Sequence, residues 1–126
     1  MPIVLIIAAI IIAFAVFSSY KGAYTSIIVI KTTFGSRELA SSFAKIAVQN
    51  KLVACASLYQ QESHYIWNEA LCKNEEYSLE LKTIQKKQGD VIAAILKNHS
   101  FKNPQIIITN AKVHLSYYKW MMDVLN

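Results

Sequence analysis

The sequence predicts an α+β fold: one four-stranded antiparallel sheet, two crossover helices and a further helix at the carboxyl end. Three observations predict it. Segments with a two-residue apolar period alternate with segments of three- and four-residue period. Two strand-like segments in the middle of the chain follow one another closely enough to form a hairpin. The resulting order is β-α-β-β-α-β-α.

The first strand is SIIVIKTTF, residues 26–34, β-branched and bounded by Gly35. Ser36 can cap the helix that follows, with Glu38 in its first turn. Leu39, Ala40, Phe43, Ala44, Ile46 and Ala47 give that helix one apolar face, and it should end near Asn50-Lys51. LVACASLYQQESHYIW, 52–67, is long for one strand, and its pattern changes phase around Gln60–Ser63, which predicts a bulge or bend. EEYSLELKTI, 75–84, alternates cleanly and should pair with it across a hairpin around Asn68–Asn74. A second helix follows Gly89, with Val91, Ile92, Ile95 and Leu96 on its buried face. QIIITNAKV, 105–113, is the last strand, and Pro104 suits its entry. Ser116 to Leu125 closes the chain as a helix with Tyr117, Trp120, Met121 and Val124 at helical spacing. Two βαβ halves joined by a hairpin define the ferredoxin-like βαββαβ sandwich. Right-handed crossovers place both of its helices on one sheet face.

Residues 1–17, MPIVLIIAAIIIAFAVF, carry no polar side chain. The chain therefore divides into a hydrophobic amino-terminal segment, 1–20, and a folded domain, 25–126. Seventeen residues reach about 25 Å as a helix, short of a ~30 Å hydrocarbon core; Ser18, Ser19 and Tyr20 extend it. The expectation is a short membrane anchor or signal-like extension, with membrane contact through residues 1–20. Lys21 and Lys31 follow the segment, which would keep the domain cytoplasmic. Ala13-Phe14-Ala15 resembles a cleavage site, so secretion is the other outcome.

The 126 residues carry a net charge of +5, with twelve of the thirteen basic residues being lysine and Arg37 the only arginine. Nucleic-acid readers rely on arginine forks, so a solvated basic surface fits better and no nucleic-acid partner is expected. Cys55 and Cys72 form no CxxC or zinc spacing. There is no G-x-S-x-G, P-loop, HExxH or dinucleotide fingerprint, so the chain is not expected to be an enzyme. Imidazole and thiolate suit copper and zinc, which makes His99 and Cys55 the candidate metal ligands. The bland readings are a helix-capping histidine and a buried small thiol. Lys82 could contact an anion or stand exposed on its strand. Trp67 and Trp120 suit core or interface anchors. His64 and His114 suit the surface.

Five segments resemble one family in order and spacing. LVACASL, 52–58, is similar to its L-A-A-C-V-N strand, and YIWNEAL, 65–71, to its Y-x-W-x-G-x-[IL] hairpin. EEYSLELKT, 75–83, resembles the strand ending L-x-x-K-T, HSFKNPQII, 99–107, resembles H-P-Y-x-x-P-E-I, and YYKW, 117–120, resembles Y-L-x-W. This is the CutA family of divalent-cation tolerance proteins, and the resemblance covers residues 25–126. It implies a ferredoxin-like protomer in a tight homotrimer, binding of divalent metal with copper as a candidate, a part in the response to metal ions and no catalytic turnover. It also implies Tyr65, Trp67 and Trp120 at the trimer interface, and Lys82, Gln105 and Trp67 around an inter-subunit cleft. The alternative it carries is a PII-like trimeric module binding a small anion through Lys82, His99 and backbone amides. Departures from the pattern are Glu69 for Gly, Ser100 for Pro, Phe101 for Tyr, Gln105 for Glu, and Lys31 where some members have cysteine.

Overall fold

The computed structural model describes residues 2–126, apart from the side chains of residues 16–21. Helix α1 (Pro2–Gly22) precedes strand β1 (Tyr24–Phe34), helix α2 (Arg37–Gln49), strands β2 (Cys55–Trp67) and β3 (Ala70–Thr83), helix α3 (Gln88–Asn98), strand β4 (Ile107–His114) and helix α4 (Leu115–Leu125). The sheet order is β2-β3-β1-β4 with antiparallel pairing throughout. This is the ferredoxin-like arrangement.

Each crossover helix forms where the sequence places it. Ser36 caps α2, its Oγ accepting the Leu39 N–H at 3.2 Å. The helix ends at Asn50, and Lys51 takes the left-handed conformation, φ 57°, that commonly follows a helix. Ala40, Phe43 and Ala47 of α2 and Val91 and Ile95 of α3 pack on Ile28, Ile30, Phe34, Leu79 and Leu81. Both helices therefore cover one face. On the opposite face α4 sets Met121 and Leu125 against Ile27 and Ala54. Part of the predicted apolar stripes stays outside: Leu39, Ile46, Leu96, Trp120 and Val124 are exposed.

Two expectations are corrected. No bulge interrupts β2. Its register with β3 runs unbroken from Cys55↔Lys82 to Trp67↔Ala70. The phase change at Gln60–Ser63 instead marks where β2 and β3 outrun the rest of the sheet and leave both faces open. The hairpin loop is also shorter than Asn68–Asn74. Only Asn68 and Glu69 turn, both with positive φ, 51° and 65°. That is a type I′ turn, in which glycine at the second position costs least; Glu69 adopts the geometry regardless. Smaller shifts concern ends: β3 starts at Ala70 rather than 75, β4 at Ile107 rather than 105, and Gly89 lies inside α3.

Among the described residues no helix is long and apolar enough to cross a membrane. The described apolar side chains of α1, up to residue 15, are exposed and would reach about 21 Å at 1.5 Å per residue, less than the ~30 Å of a hydrocarbon core. Ser18, Ser19, Tyr20 and Lys21, which the anchor expectation uses, fall outside the described side chains.

Candidate functional site

Strand β1 stops pairing with β3 at Phe34↔Tyr77. Beyond it β2 and β3 continue as a two-stranded arm of seven residue pairs, from Gln61↔Glu76 to Trp67↔Ala70. The segment 99–105, leaving α3, runs beside the root of this arm. Together they enclose a cleft of about 650 Å³ whose lining includes Thr33, Ser63, Tyr65, Glu76, Phe101 and Gln105.

The register decides which arm residues reach the cleft. Directly paired residues share a face, so Ser63, Tyr65 and Trp67 of β2 stand on the same side as Asn74 and Glu76 of β3. Their polar groups are tied to one another. The Gln61 Nε2–H donates to Ser63 Oγ at 3.2 Å, and the Ser63 hydroxyl donates to Glu76 Oε2 at 3.3 Å. The Asn74 amide donates to the Tyr65 hydroxyl. Lys102 from the 99–105 segment supplies a positive charge and Glu76 a negative one. His64, expected only at the surface, also lines the cleft with its ring 2.9 Å from Glu62 Oε2; the rest is hydroxyls, amides and aromatic rings, a surface suited to hydrogen bonding.

His99 does not line the cleft itself; it stands behind the lining residues Thr33 and Phe101. Its ring stacks on Phe34, 4.5 Å between centroids and 17° between planes, and Phe101 covers its other side at 4.7 Å. Nε2 lies 2.5 Å from the Thr33 carbonyl oxygen, and the Phe101 N–H donates to Nδ1 at 3.0 Å. A carbonyl only accepts and an amide only donates, so the ring is the neutral Nε2–H tautomer. Gly35 makes room for the arrangement, since a Cβ there would meet Phe101 at 3.4 Å.

The predicted site residues separate into two groups. Trp67 and Gln105 line the cleft, as does Tyr65. Cys55 and Lys82 do not. They pair with each other, and Lys82 pairs with Val29, whereas His99 bonds to Thr33, four residues further along β1. That separation is about 13 Å along the strands and about 10 Å across two strand spacings. The faces also differ: Val29 packs with the α4 cluster and Phe34, under His99, with the α2–α3 core. Lys82 Nζ sits 5.8 Å from the Tyr117 ring centre and 4.0 Å from Glu80 Oε1. Thus Lys82 and His99 share no anion cleft within one chain.

A divalent metal does not fit the pair His99 and Cys55 as they stand. Both imidazole nitrogens are engaged, and a metal needs a free lone pair on one of them. Cys55 Sγ rests 3.8 Å from Ser57 Oγ and opposite the Lys82 cation. Among the described residues no three of His, Cys, Asp or Glu converge. Trp120 meets the Tyr117 ring at 5.4 Å, tilted by 46°, and stays exposed, and Cys72 lies on the arm as a free thiol. Sequence reasoning missed Thr33, Ser63, Asn74 and Glu76. A strict two-residue period carried through 60–67 would have placed Ser63 beside Tyr65 and Trp67.

The model of the CutA1 divalent ion tolerance protein family matches residues 28–124. This chain belongs to the CutA family. A probable divalent-cation tolerance protein cutA homolog of Encephalitozoon cuniculi is 30% identical over 95 residues, 73% of this chain and 82% of that protein. The divalent-cation tolerance protein CutA of Pyrococcus horikoshii is 29% identical over 97 residues, 76% of this chain and 95% of its own length. CutA from Synechococcus elongatus superposes with a TM-score of 0.79 at 20% identity, covering 82% of this chain and 96% of that one. Proteins of the CutA family are named for tolerance of divalent cations and not for a catalysed reaction. The CutA match begins at Ile28 and leaves α1 outside it.

Proposed function

We propose that this CutA-family chain works as a homotrimer that binds divalent cations, copper among them, and contributes to the response to metal ions without turnover. The observation that carries the assembly is the β2–β3 arm. Seven pairs at 3.4 Å per residue reach about 24 Å past the sheet, and a lone two-stranded hairpin is marginal in water. The arm nevertheless exposes Ile66, Trp67 and Leu71, with Leu71 76% accessible. Such residues are stable on a surface when a partner covers them. Closed rotational symmetry lets each arm lie on the next subunit and covers every arm at once.

A protein-bound metal such as zinc usually takes three or four protein ligands. Since both nitrogens of His99 are engaged and no three donors converge among the described residues, a trimer would assemble that sphere from other donors on more than one subunit. Titration calorimetry of copper(II) and of zinc into the trimer tests the reading. Saturable heat with a fixed ratio per trimer is expected, lost in a Leu71→Glu chain that stays monomeric. Absence of heat with both ions would overturn the metal part and leave the assembly standing.

A further inference from the structure

We propose that α1 is a lipid anchor: its apolar turns sink among the acyl chains of a phospholipid bilayer, and the basic residues at its root meet the headgroups. The proposal depends on neither metal binding nor the trimer. It follows from how apolar side chains are distributed around one helix. Every side chain from Pro2 to Ala15 is apolar. Ile3 to Ile7, Ile10 to Ile12 and Phe14 are all exposed, and the least accessible of them, Ile7, is still 51% open. With 3.6 residues per turn, Val4, Leu5, Ile6 and Ile7 alone point to all sides of the helix. Among the described residues no face of α1 is polar and none is covered.

That distribution selects the occupant. A helix resting on a protein surface, or lying flat at a lipid interface, carries one apolar stripe and one polar face. A bundle of three such helices would still leave the outward side of each in water. Acyl chains surround a helix on every side and require no polar face, because its backbone bonds are internal. The length fits entry from one side. The described turns reach about 21 Å, more than half of a ~30 Å hydrocarbon core, so a tilted helix buries all of them.

The charge at the root fits the headgroups. The Leu115 N–H donates to the Ala23 carbonyl at 2.7 Å, which ties the start of α4 to the residue that follows α1. Lys112, paired with Ser26, and Lys119, in the second turn of α4, are exposed. Lys21 precedes them in the sequence, and no Asp or Glu occurs in residues 1–37 or 99–122. The segments that meet at the root are therefore basic and free of carboxylates, complementary to the phosphates of anionic lipids. Tyr24, at the start of β1, is exposed and adds an aromatic ring of the kind that sits at headgroup level.

Vesicle flotation of the full chain tests the anchor. Phosphatidylcholine vesicles should carry the chain even at high salt, since burial of apolar side chains is not screened. Adding phosphatidylserine should raise the partition at low salt only, because salt screens the lysines. An Ile10→Lys chain should partition about a hundredfold less, the scale of one charge at the centre of a membrane helix, with the urea midpoint of the domain unchanged. A Lys112→Glu chain should lose part of the phosphatidylserine gain and keep the rest. A Val4→Trp chain should be quenched by lipids brominated on their acyl chains, read against the unmodified chain, whose Trp67 and Trp120 lie outside α1. Absence of binding to phosphatidylcholine, binding abolished by salt, unchanged flotation of Ile10→Lys or an unquenched Val4→Trp would each overturn the proposal. So would self-association that falls in Ile10→Lys while no vesicle is bound, which would assign α1 to another copy of the chain.

Discussion

One strand of this protein lives in two environments. Residues 77–83 of β3 lie between β1 and β2, and Leu79, Leu81 and Thr83 are fully buried. Residues 70–76 of the same strand pair with β2 alone, and Leu71 is 76% accessible. Backbone conformation and pairing register are continuous across the boundary. What changes is the neighbour: β1 ends at Phe34, and α2 and α3 cover only what β1 backs. The inner half stabilises the monomer through burial. The outer half adds little to the monomer and leaves Ile66, Trp67 and Leu71 exposed.

The widest gap between the halves should appear on truncating leucines. Leu79→Ala should cost about 2–5 kcal/mol in urea unfolding, the range for a buried leucine. Leu71→Ala should leave the unfolding of the isolated chain within about 0.5 kcal/mol, as for an exposed position, while weakening self-association in sedimentation. Equal effects of the two on unfolding would erase the distinction.

The buried threonines sharpen it next. Thr83 Oγ1 donates to the Leu52 carbonyl at 2.6 Å, whereas Thr32 Oγ1 has no partner among the described residues. Thr83→Val strands a carbonyl and should cost about 1–3 kcal/mol, while Thr32→Val removes an unsatisfied group and should be neutral or stabilising. Both are read from denaturant midpoints. The smallest effect lies at the tip of the arm. Glu69 holds φ at 65°, a conformation that costs a side-chain-bearing residue about 1 kcal/mol or more relative to glycine. Glu69→Gly should recover about that much for the arm, visible as slower amide exchange in residues 64–73 and with the core unchanged.

The inner half was legible in the sequence because its periods are those of buried elements. Ile28, Ile30 and Phe34 alternate, Ala40, Phe43 and Ala47 recur at helical spacing, and Ser36 marks a helix start. The five family-like segments located the cleft elements without their geometry. The arm was less legible for a physical reason. With both faces open, Gln60 to Ser63 need not alternate in polarity, so the pattern lost its phase and suggested a bulge that is absent. Spacing along the chain also could not tell that Cys55 and His99 fall on opposite faces of the sheet; pairing with Lys82 and stacking on Phe34 decide that. Nor could residue type reveal that both nitrogens of His99 are already used.

The central claim is that the arm is built for a partner copy. Sedimentation velocity of the full chain at micromolar concentration tests it most directly. One species at three times the 14.2 kDa chain mass is expected, persisting on dilution and lost in the Leu71→Glu chain. A stable species at 14.2 kDa that keeps the folded arm would contradict it.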